Sequence, residues 1–101
     1  MPVRTHETIA TEMSPALIMY EALNKLDRLH RHSFTYQMNI AHPDISADVK
    51  RNHRRQIRNI ELSITETKTE ILHYSNSFRI GDMLTIIQQH RQGLPLPPHL
   101  L

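Results

Sequence analysis

The chain has no cysteine and only two glycines, Gly81 and Gly93. Without thiols there can be no disulfides, no Cys-ligated zinc and no thiol nucleophile. Two isolated glycines cannot build a Gly-rich phosphate loop, so a nucleotide-binding enzyme is not expected. Aromatic residues are also scarce, with three Tyr and two Phe, and this composition argues against a β-sandwich or barrel. Long apolar runs are missing, which excludes a membrane-spanning helix. The start Met1-Pro2-Val3-Arg4-Thr5-His6-Glu7 carries no signal-peptide core, and Glu12 and Pro15 interrupt the next candidate, so a cytoplasmic location is expected.

What is present fits one small helical domain. Leu, Ile, Val and Phe supply 26 of 101 residues, enough to fold, but a chain of this length builds only a modest core. The strongest start signal is Ser14-Pro15, a capping hydroxyl followed by a residue with no amide to leave unpaired, with Met13 and Ile18 placed as a hydrophobic staple. From Pro15 to about Ile40 nothing breaks the helix. Ile18, Met19, Tyr20, Ala22, Leu23, Leu26, Leu29, Phe34, Met38 and Ile40 form an apolar arc wide enough to touch two neighbours. His42-Pro43 ends it.

A second helix is expected from Asp44 or Ser46. Its seam reads Ile57, Ile60, Ile64, Thr67, Ile71, Tyr74, Phe78, alternating three and four residues over three heptads, and becomes more polar backward through His53 to Val49 or Lys50. The seam suits an intramolecular hairpin, a coiled-coil dimer, or both. Asn76 is a candidate left-handed helix terminator. A third helix is expected over Met83–Gln92, capped by Asp82, with Ile80, Leu84 and Ile87 inward and Gly93-Leu94-Pro95 as its stop. The expected organisation is a flexible arm over 1–13, a helical domain over 14–93 and a Pro-rich tail over 94–101. Pro95-Leu96-Pro97-Pro98 has PxxP spacing, readable as a docking ligand or as a terminal arm. The fold class is all-α: a long antiparallel hairpin plus a short third helix, in a dimeric bundle because the apolar faces exceed what one hairpin covers.

The net charge of +2 conceals a segregation. Residues 1–24 carry −2, residues 25–58 carry eight cations against three carboxylates for +5, and residues 59–101 carry −1. In a hairpin, Arg28 and Arg31 come to the same end as Lys50, Arg51, Arg54, Arg55 and Arg58, while Glu21, Glu66 and Glu70 collect at the other. On a helical wheel Arg51, Arg54, Arg55 and Arg58 fall within about 100° of one another, away from the seam. Local stability does not explain them, because cations near a helix start oppose its dipole and only Arg58 with Glu61 reads as a favourable close pair. Such a face suits carboxylates or phosphates.

The eight histidines are scattered, and His30 and His32 lie two apart, which a helical metal site does not use; no metal or other cofactor is expected. No nucleophile elbow or acid–base pairing appears, so no catalytic residue is expected. His42-Pro43-Asp44 resembles the loop tripeptide of J-domain co-chaperones, with Phe34 and Tyr20-Glu21-Ala22-Leu23 adding to the likeness over residues 20–60. That resemblance implies a loop between antiparallel helices that engages a partner ATPase. The segment departs from the family in its short Tyr20-to-His42 spacing, its missing Leu-Gly turn and its lack of the family's basic second helix. The expected function is a non-enzymatic adaptor, regulator or inhibitor. It would dock an acidic protein surface through Arg28, Arg31, Lys50, Arg51, Arg54, Arg55 and Arg58, with Leu62 or Leu72 as apolar anchors. The alternative is binding of a nucleic-acid backbone by the same arginines.

Overall fold

In the computed structural model the described residues are 14–101, so the expected arm over 1–13 and the Met13 half of the staple lie outside them. Three helices follow in order: α1 (Pro15–Ala41), α2 (Ala47–Ser75) and α3 (Ile80–Gln92), then a 3-10 turn over Pro98–Leu100. Among the described residues there is no strand. At about 1.5 Å per residue the 29 residues of α2 span roughly 43 Å, most of the molecule's 52 Å length.

Each long helix begins where a hydroxyl can serve its first turn. The Ser14 hydroxyl accepts from the Leu17 amide at 3.1 Å, with Pro15 at the first helical position. Ser46 does the same for Val49 at 3.3 Å. Ser14→Ala is expected to cost about 1 kcal/mol of unfolding free energy, read as a lower urea midpoint at unchanged m-value. Between the helices His42–Ser46 makes a short turn in which the Asp44 amide donates to His42 Nδ1 at 3.2 Å.

α1 and α2 form the antiparallel hairpin, and the isoleucine seam is spent within it: Ile57, Ile60, Ile64, Ile71 and Tyr74 are half-buried and Thr67 is fully buried. The Tyr36 ring meets His53 edge-on at 5.0 Å, which fixes the register. Counting from that pair places Ala22 at about the level of Thr67 and Arg31 at about the level of Arg58. Thr67 satisfies its own hydroxyl by donating to the Ser63 carbonyl at 2.7 Å, and buried Ser33 accepts from Gln37 Nε2 at 3.1 Å. The hairpin interface is therefore part polar along much of its length.

The apolar core sits at one end. Ala16 and Met19 of α1, Ile86 of α3 and Leu96 of the tail form it, flanked by Leu17, Tyr20, Leu23, Ile71, Tyr74, Phe78, Met83 and Leu100. α3 lies mainly on α1 here. His90 Nε2 stands 3.2 Å from Asp27 Oδ2, and the His90 ring meets Tyr20 edge-on at 5.9 Å.

Four local expectations change. α3 starts at Ile80 rather than Met83, because the Met83 amide already donates to the Arg79 carbonyl; Asp82 lies inside the first turn and is not its cap. Ile80, Leu84 and Ile87 do not face inward; Met83, Ile86 and His90 do, since Met19 and Asp27 hold that side of the helix. Asn76 stays right-handed at φ −67°, and the end of α2 is closed by the Ser77 amide donating to the Tyr74 carbonyl. The tail is no loose arm: Leu96 is buried, Tyr20 Oη donates to the Leu94 carbonyl at 2.7 Å, and Gln89 Nε2 donates to the Pro95 carbonyl at 2.9 Å. Gly93 is the stop the sequence promises. At φ 67° it lets its own amide reach the His90 carbonyl and that of Leu94 reach Gln89, the paired bonds of a Schellman end.

Candidate functional site

Arg28, Arg31, Lys50, Arg51, Arg54, Arg55 and Arg58 lie on the turn-proximal half of the hairpin, opposite the core, whereas Lys25 and Lys68 lie on the other half. Arg51, Arg54, Arg55 and Arg58 are exposed and lie roughly 100–160° around α2 from His53, so they form a ridge pointing away from α1. The ridge runs about 10 Å along two helical turns. Lys50 is half-buried beside the seam rather than on the ridge. Arg28 and Arg31 reach the same end, but they lie roughly 140–160° around α1 from buried Ser33 and point away from α2. The structure thus brings four of the seven cations together and sets Arg28 and Arg31 on the opposite outer side.

Arg51 leans on Asp48 at 3.6 Å, an exposed i,i+3 contact the sequence reading missed; Arg58 and Glu61 do not close within 4.0 Å. Among the described residues, Arg54, Arg55 and Arg58 have no carboxylate within salt-bridge distance. Like charges three and four apart repel by roughly 0.2–0.5 kcal/mol per neighbouring pair, less in salt. An anionic partner would relieve that repulsion.

Beyond Arg58 the same line of α2 continues through exposed Leu62 to Thr65, and an open concavity of about 400 Å³ is lined by Arg58, Glu61, Leu62 and Thr65. Leu72 is exposed two turns further on. The strip therefore presents guanidinium groups first and an aliphatic anchor next, within one helix face.

His42, Pro43 and Asp44 are exposed at the tip of the hairpin, where their interactions are those of a turn: His42 Nδ1 accepts from the Asp44 amide and stands 4.0 Å from its carboxylate. Among the described residues no three His, Asp or Glu side chains gather as a metal site, and no helix is long and apolar enough to cross a membrane. The chain matches no family model, no curated protein and no solved structure.

Proposed function

We propose that this chain is a small non-catalytic adaptor, regulator or inhibitor of the cytoplasm that acts as a homodimer and docks an acidic protein surface through the α2 ridge. The observation that supports this reading is the clustering of Arg51, Arg54, Arg55 and Arg58 on one exposed face, with Asp48 their one close acid among the described residues. Arginine is suited to the task because its planar fork grips carboxylates in pairs of hydrogen bonds and loses little hydration on docking. Leu62 and Leu72 supply the apolar anchors such an interface needs at its centre. Arg28 and Arg31 contribute through the field at that end rather than by direct contact with the same partner face.

Fluorescence anisotropy with a labelled acidic helical peptide and a labelled DNA duplex, each titrated across salt, tests the reading. The peptide is expected to bind the native chain. Replacing all four ridge arginines with Gln is expected to weaken that binding at least tenfold while leaving helicity intact. Unchanged peptide binding by the Gln variant overturns the site. Duplex binding shared by unrelated sequences and falling steeply with salt, without peptide binding, establishes the nucleic-acid alternative instead.

A further inference from the structure

Two apolar surfaces of the monomer remain in water, one at each end. Ala16, Tyr20, Leu23 and Asp27 share the face of α1 that α3 and the tail cover; Phe34 and Met38 continue that face toward the turn and are 63% and 57% exposed. At the other end Ile80, Leu84 and Ile87, spaced four and three along α3, are 80%, 61% and 37% exposed. Together these five leave the equivalent of about three large side chains uncovered.

We infer that a second copy of this chain covers both surfaces, the α3 stripe Ile80–Leu84–Ile87 of one copy lying on Phe34 and Met38 of the other; this rests on the homodimer part of the proposed function and not on the arginine ridge. A two-fold axis makes the contact twice, so neither surface is left over. The partner's α3 then occupies the row along α1 that the chain's own α3 leaves vacant beyond Asp27.

Charge selects this antiparallel arrangement. Residues 25–58 carry +5, and the rest of the described chain carries −2, from Glu21, Glu61, Glu66, Glu70 and Asp82 against Lys68, Arg79 and Arg91. Antiparallel copies set each basic end against an acidic one, whereas contact through Phe34 and Met38 of both copies would bring Arg31 against Arg31. The five side chains alone would bury about 1,000 Å² over both copies, the lower bound for a specific interface. The α2 ridge points away from α1, and Phe34 and Met38 belong to α1.

The absence of cysteine makes a clean test available. Met38→Cys and Leu84→Cys chains are oxidised separately and as a mixture, and light scattering gives the mass of the native chain at micromolar concentration. The expected result is a mass near twice 11.9 kDa and a disulfide that forms in the mixture but in neither variant alone. Phe34→Ser with Ile80→Ser is expected to weaken self-association more than tenfold at unchanged helicity, since both residues are exposed within one chain. A dimer whose disulfides join 38 to 38 or 84 to 84 overturns this pairing while leaving self-association standing. A native chain that stays monomeric overturns both.

Discussion

Ile86→Ala is expected to destabilise the protein by about 2–5 kcal/mol and to lower its thermal midpoint by roughly 10–30 °C, followed by circular dichroism. Ile86 has no solvent exposure and closes the core against Met19, Ala16 and Leu96. Removing its branched end leaves a cavity lined by side chains from α1, α3 and the tail, which cannot all move in to fill it. The loss is large because total stability for a chain of this size is about 5–15 kcal/mol. Leu62→Ala, on the exposed face of α2, is the control and is expected to shift stability by no more than about 0.5 kcal/mol. Equal effects from the two substitutions would contradict the position of the core.

Deleting Leu94–Leu101 is expected to cost about 2–4 kcal/mol, measured as a fall in urea midpoint. Leu96 contributes about 1.5–3 kcal/mol by burial, and the bonds from Tyr20 to Leu94 and from Gln89 to Pro95 add about 1 kcal/mol each. Part of that total is offset by the conformational freedom the tail no longer surrenders. Gly93 and its bond to the His90 carbonyl stay in place, while the Leu94 amide that closes α3 on the Gln89 carbonyl leaves with the tail. A truncated chain as stable as the native one would show that Leu96 is not part of the cooperative core.

These two sites mark the limit of what could be read from the amino-acid order. Ser14-Pro15, Ser46 and Gly93 act locally, through hydroxyls and a left-handed glycine within a turn of their effect, and each performs as its residue type requires. The isoleucine seam is also legible, because a repeat sustained over three heptads leaves one face to bury. On α3 the face expected to turn inward, Ile80–Leu84–Ile87, is the one in solvent. What turns the helix the other way is Met19 packing on Ile86 and Asp27 meeting His90, contacts more than sixty residues apart in the chain. The tail misled for a similar reason: its prolines signal extended chain correctly, but burial of Leu96 depends on a pocket built by α1 and α3.

The candidate site divides along the same line. Wheel geometry within α2 suffices to group Arg51, Arg54, Arg55 and Arg58. Whether Arg28 and Arg31 join them depends on which part of the broad α1 arc meets α2. Ser33 and Tyr36, one buried hydroxyl and one ring against His53, decide that, and neither belongs to the apolar pattern.

Support along the hairpin is uneven, and this bears on how the molecule yields. Turns of α1 up to Asp27 are held by α2 on one side and by α3 with the tail on the other; turns beyond it have α2 alone, across an interface that includes Ser33 and His53. Opening the last turns of α1 and the first of α2 therefore breaks fewer apolar contacts than opening the core. The arginines thus stand on the half of the protein that can splay while the rest keeps its shape, and a ligand bridging both helices there would act as a clasp.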